Sequence, residues 1–140
     1  MLLFLFSANA FPAGKEQPLP KEYVQKLRKI ANFFADELEK REIKTITVKD
    51  FTNIYGKPSV MGKKMARELS RQLKSIGNKN FRVIKAGGDA VITGILVPFT
   101  ETKNWKLDIK IVSADRSMVI MSYTGIFKKP DIVKKEKNQK

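Results

Sequence analysis

The chain has 140 residues, with 28 Lys and Arg against 14 Asp and Glu and a net charge of +14. That length holds one domain with one hydrophobic core. It contains no Cys and no His, which excludes disulfides, thiolate chemistry and Cys/His zinc sites and removes the commonest general base. The charge bias points to an anionic partner or surface. The alternative is a Lys-rich composition that charges every solvated face.

Met1–Ala13 is a short apolar run, Leu2–Phe6, followed by Ala8-Asn9-Ala10, which has the A-x-A form of a secretory cleavage site. We read it as a signal cut after Ala10 or after Ala13, although no positive residues precede the run. The alternative is a buried N-terminal strand. The run is too short to span a membrane as a helix. Gly14–Pro20, with Pro18 and Pro20, is a linker. Lys21–Arg41 is a long helix whose apolar stripe is Tyr23, Val24, Leu27, Ile30, Ala31, Phe34 and Leu38. Phe33 widens that stripe; we read a core helix covering the sheet, and the alternative gives part of it to a neighbouring subunit.

Thr45–Phe51 alternates as a half-buried strand, with Ile46 and Val48 inward. Asn53, Gly56 and Pro58 break regular structure. Ser59 caps a helix that begins at Val60. Met61, Met65, Leu69, Leu73 and Ile76 make one face of that helix, and Gly77 stands where a left-handed C-terminal cap is expected. Phe81–Lys85 is the next strand, closed by a parallel strand–helix–strand crossover.

Asp89–Phe99 is apolar on both faces, as in a strand covered on both sides or packed at an interface. Within it, Gly94 marks close approach by a packed helix or a bulge. Trp105, Leu107, Ile109 and Ile111 alternate with charged residues. Ala114–Ser117 turns the chain, and Met118–Phe127 returns, completing an antiparallel meander. Met118, Met121 and Trp105 are assigned to the core. Lys128–Lys140 is a basic tail, expected to be disordered and able to anchor to an acidic surface.

Gly56–Lys63 follows a strand and opens a helix, but it is no phosphate-binding loop. Five residues separate Gly56 from Gly62, and Lys64 occupies the place of the magnesium-binding hydroxyl. Lys63, Lys64, Arg67, Arg71 and Lys74 form the strongest basic face of the chain, with Glu68 the acid beside them. They are the candidate contact for an anionic partner, and a solvated helix face is the alternative. No aromatics interleave with these cations to stack nucleobases. Asp50, Asp89, Asp108 and Asp115 are the carboxylates available for acid–base work. Without His, a motif-grade nucleophile or metal-ligand spacing, Asp50 and Asp89 are read as capping and turn residues. No catalytic, cofactor or metal residue is assigned.

The pattern resembles the FlgO family of flagellar accessory proteins. More loosely, it is similar to the fold of curli secretion lipoproteins and of the N-terminal domain of TolB. The matching residues are Asp50-Phe51 with Asn53, then Gly62, Ala66, Leu69 and Leu73, then Phe81-Arg82-Val83-Ile84, and finally Gly88-Asp89-Ala90 with Gly94. The resemblance covers Tyr23 to Phe127. Relatives usually carry another helix between the last two blocks, where this chain has only Ala86-Gly87.

The expectation is a single two-layer α+β domain over 21–127, of order α-β-α-β-β-β-β, with helices packed on a mixed sheet. The resemblance implies an exported, non-enzymatic assembly protein that supports the flagellar basal body at the outer membrane, and so motility, through contacts with flagellar or other envelope proteins. Self-association into a ring and attachment to an anionic envelope surface go with that reading. The alternative is a periplasmic envelope accessory factor for secretion or cell-wall synthesis. A cytoplasmic nucleic-acid-binding protein would follow only if Met1–Ala13 were not a signal. No cofactor is expected.

Overall fold

A computed structural model describes residues 18–76, 80–99 and 101–129. The signal and most of the linker, Gly77 and nearly all of the basic tail lie outside the described residues. The elements follow the expected order. They are α1 (Lys21–Lys40), β1 (Thr45–Val48), α2 (Val60–Ser75), β2 (Arg82–Val83), β3 (Ala90–Pro98), β4 (Asn104–Ser113) and β5 (Val119–Lys128). The strands form one five-stranded sheet in the order β2-β1-β3-β4-β5.

Helix α1 begins without a side-chain cap, since Pro20 precedes it, and the N–H groups of Tyr23 and Val24 bond to the Pro20 carbonyl instead. It ends one residue earlier than the sequence pattern implies. Glu42 takes the left-handed conformation (φ 57°), its N–H donates to the Glu39 carbonyl, and Ile43 N–H donates to that of Leu38. Those two bonds are the Schellman stop, made here without glycine. Helix α2 begins as expected, with Gly62 N–H donating to Ser59 Oγ at 3.0 Å.

The α1 stripe of Tyr23, Leu27, Ile30, Ala31, Phe34, Ala35 and Leu38 is buried. It meets Met65, Ala66, Leu69 and Leu73 of α2 and the sheet side chains Ile46, Ala90, Ile92, Leu96, Leu107, Ile109, Ile111 and Phe127 in one core. Burying each large side chain of this set contributes about 1.5–3 kcal/mol.

Strand β1 pairs in parallel with both β2 and β3, so the crossover through α2 closes as expected. It leaves regular pairing at Val48, three residues before the expected end. Lys49 N–H donates to Ile92 O, and the next rung is Thr52 N–H to Gly94 O. Two residues advance on β3 while three advance on β1, which is a bulge. The extra residue inverts the alternation. Strict period two from Ile46 and Val48 would send Asp50 inward and Phe51 outward, yet Phe51 is fully buried and Asp50 is exposed. Phe51 fills the gap between α2 and β3. A Cβ at Gly62 would lie 2.6 Å from Phe51 O, and one at Gly94 would lie 2.6 Å from Phe51 Cδ1. The close approach at Gly94 is therefore made by an aromatic ring, not by a helix backbone.

The short connection Ala86-Gly87 is tied to β1. Gly88 N–H donates to Thr47 Oγ1 at 3.0 Å and Asp89 N–H to Thr45 Oγ1 at 2.9 Å. A Cβ at Gly88 would stand 2.8 Å from the β1 backbone, so only glycine passes there.

Both helices cover the same face of the sheet. The other face is open in its lower half, where Ile95 is exposed and Val97 half-buried. Strand β3 is thus covered on both sides at its start, where Val91 is buried, and on one side beyond Gly94. Met118 is exposed, contrary to its assignment to the core, because it lies in the turn beyond the helices. Met121 and Trp105 pack partly buried against the core.

That turn is held by Asp115, whose Oδ1 accepts bonds from Ser113 Oγ, Ser117 N–H and Ser117 Oγ at 2.7, 3.0 and 2.7 Å. The Ser117 backbone bond, followed by the two hydroxyls, holds its carboxyl down to about 2. A depressed carboxyl stabilises the fold above its ordinary value of 3.8 and loses that contribution as pH falls toward 2. Asp115→Asn should flatten the loss of stability between pH 4 and pH 2 in urea titrations. An unchanged slope would show that the turn does not respond to this proton.

Candidate functional site

The outward face of α2 carries the cations singled out in the sequence. Steps of three and four along one helix bring Lys64, Arg67, Arg71 and Lys74 into one row, with Lys63 beside it. Lys63, Arg67, Arg71 and Lys74 are exposed, and Lys64 is half-buried.

Arg67 and Arg71 form a ridge between two hollows. One, of about 310 Å³, is lined by Val48, Asp50, Ala66, Ser70 and Lys74 together with the two arginines. The other, of about 360 Å³, lies toward the start of α1, where Leu19, Val24, Lys64 and Glu68 complete it.

The five cations are not equivalent. Arg71 Nε donates to Glu68 Oε1 at 3.1 Å, and Arg71 Nη2 lies 2.5 Å from Oε2. Gln72 Nε2 adds a bond to the same carboxylate at 2.7 Å. Burial works to raise the Glu68 carboxyl. The bonds from Arg71 and Gln72, with the charges of Arg71 and Arg28, outweigh it and hold the group below its usual range. Arg71 is therefore largely neutralised in place. Lys63, Arg67 and Lys74 stay exposed in the row, and Arg71 is held beside Glu68 as a planar donor.

The four carboxylates do not converge on a reaction centre. Asp108 accepts from Thr124 Oγ1 at 2.6 Å across the open face, and Asp115 holds its turn. Asp50 lies exposed in the hollow beside Arg67 and Lys74. Among the described residues neither the Asp50 nor the Asp89 carboxylate accepts a loop hydrogen bond. At the first loop that task falls to Asn53, whose Oδ1 takes the N–H groups of Tyr55 and Lys57 at 2.9 and 3.0 Å. At the second loop it falls to Thr45 and Thr47. The capping role assigned to the two aspartates thus belongs to their neutral neighbours. No group of three His, Cys, Asp or Glu among the described residues is placed to hold a metal ion.

A further hollow of about 400 Å³ lies at the start of α1, lined by Glu22, Tyr23, Lys26, Lys29, Phe127 and Lys128 among others. Two of its polar groups are used internally. The Tyr23 phenol donates to the Lys128 carbonyl and Lys26 Nζ to that of Ile126. Tyr23 meets Phe127 edge-on at 5.1 Å. Burial, with Glu22 adding to it, pushes the Tyr23 phenol up to about 12, so it stays a donor at any physiological pH. This end staples α1 to β5.

The fold and surface define a small two-layer α+β domain with a basic helix face and no assembled reaction centre among the described residues. Solved structures share that fold. The C-terminal domain of LpoB from Escherichia coli is similar over 77% of this chain and 99% of that one, with a TM-score of 0.57 and 10% identity. The same domain from Salmonella enterica gives 77%, 99%, 0.54 and 10%. An NMR structure of E. coli LpoB is similar over 88% of this chain and 79% of its own, with a TM-score of 0.54 and 10% identity. No family model matches the chain, and no curated protein does. No helix among the described residues is long and apolar enough to cross a membrane.

Proposed function

We propose that this protein is an exported, non-enzymatic accessory factor of the cell envelope that serves cell-wall synthesis through protein–protein contact. The observation that carries this reading is the correspondence of the whole described domain with the LpoB C-terminal domain, whose length it spans almost completely. It is a fold-level analogy. The signal-like Met1–Ala13 and the resemblance to envelope lipoprotein folds support the compartment. The Arg67–Arg71 ridge, with Lys63 and Lys74, is the proposed contact for an acidic partner surface. The flagellar reading rests on the sequence resemblance, and none of the structural comparisons adds to it.

The test is affinity purification of a tagged chain from solubilised envelopes, with partners identified by mass spectrometry. Enrichment of cell-wall synthesis enzymes is expected, reduced at least fivefold by Arg67→Gln with Lys74→Gln. Removing two rim charges lowers affinity mostly through slower association, so binding should also become less sensitive to salt. Enrichment of flagellar basal-body components instead would return the flagellar reading.

A further inference from the structure

The loop between β1 and α2 exposes more apolar surface than its role as a connection requires. Tyr55 is 78% exposed, Val60 77% and Ile54 55%. The loop is not slack. Thr52 bridges both Pro58 and Ile95, Asn53 Oδ1 holds two loop N–H groups, and Gly56 turns the chain at φ 77°. Gly56 N–H closes the turn on the Asn53 carbonyl at 3.0 Å. Ile54 and Tyr55 are therefore presented outward on a built turn. Val60 stands in the first turn of α2, one helical turn ahead of Lys63 and Lys64.

Charge around this turn is mostly positive, with two acids at its margins: Asp50 lies beside Arg67, and Glu68 is bonded to Arg71. From Phe51 to Arg67 the chain has Lys57, Lys63, Lys64 and Arg67 and no Asp or Glu. A surface that pairs exposed Tyr, Ile and Val with an excess of cations matches the interface of an anionic bilayer. There, apolar side chains enter the boundary between headgroups and chains, Tyr is favoured, and cations meet the lipid phosphates. We propose that the Ile54–Tyr55 turn, with Val60 and the cations of the first turns of α2, is a docking surface for anionic membrane lipid. It would hold the domain against a bilayer independently of the identity of any protein partner.

Vesicles of phosphatidylglycerol with phosphatidylcholine, and of phosphatidylcholine alone, test this with the full chain. Tyr55→Trp supplies a local reporter, to be read against Trp105 in the parent chain. The emission of the new fluorophore should shift to the blue and be quenched by brominated lipids on anionic vesicles. Ile54→Ser with Tyr55→Ser should weaken sedimentation with those vesicles at least tenfold. Lys63→Gln and Arg67→Gln should each weaken it about fivefold, the equivalent of roughly 1 kcal/mol per cation near an anionic surface. Circular dichroism and thermal melts check that the variants are folded, since none of the four side chains is in the core. The proposal is overturned if the chain does not sediment with anionic vesicles, or if it does so without a change in emission at position 55. In the second case the membrane contact lies elsewhere on this basic chain.

Discussion

Phe51→Ala should remove about 3–5 kcal/mol of stability, the range for truncating a fully buried aromatic, and should be the most damaging single truncation in the loop between β1 and α2. Phe51 has no exposed surface and touches three elements at once: its own bulge in β1, Gly62 of α2 and Gly94 of β3. On the β3 side the ring lies against Gly94, which has no side chain to move into the cavity. Urea denaturation of the parent chain and of Phe51→Ala and Phe51→Leu gives the measurement. The expected order is parent, then Leu, then Ala, with the Leu variant losing less than half as much. Equal stability of the parent and Ala variants would mean that the ring is not the plug described above.

The second large effect runs against helix propensity. Replacing glycine by alanine in a helix interior is ordinarily favourable by about 1 kcal/mol. At Gly62 the change should instead destabilise, by about 1–3 kcal/mol or more. The new Cβ would stand 2.6 Å from the Phe51 carbonyl oxygen and 3.0 Å from its carbon. Gly94→Ala should destabilise to a similar degree, but for a different reason, since its nearest atoms are Cδ1, Cε1 and Cγ of the Phe51 ring. Shrinking that ring separates the two cases. Phe51→Leu should recover part of the loss in Gly94→Ala and none of it in Gly62→Ala, where the obstacle is backbone. A double-mutant cycle on each pair measures the coupling. Equal coupling in both cycles would contradict the geometry.

These two effects explain most of the spacing that resembles the FlgO family. Asp50-Phe51, Asn53, Gly62 and Gly94 are far apart in the chain, yet Phe51 and both glycines form one contact, and Asn53 shapes the loop that follows. Leu69 and Leu73 are core. The resemblance is thus carried by residues that build the fold, and such residues do not choose among the partners a fold can serve. That is the physical reason why the fold follows from them while the flagellar role does not.

The chain by itself determined the order of elements, the start of α2 at its Ser59 cap, most of the buried stripe of each helix and the meander, because each depends on local periodicity or a local cap. It also placed the cations in one row, since steps of three and four on a helix need no tertiary information. Tertiary structure decided three things that period and propensity cannot express. One extra residue in β1 turns Phe51 inward and Asp50 outward, because a bulge shifts the alternation only where a neighbouring strand defines the register. Both helices lie on one face of the sheet, which leaves Ile95 open, although β3 reads as covered on both sides or packed at an interface. Finally, Glu68 takes up Arg71 while a turn built on Asn53 holds Ile54 and Tyr55 in solvent. The charge and apolar surface offered to a partner depend on which side chains the fold has already engaged, and only the packed chain specifies that.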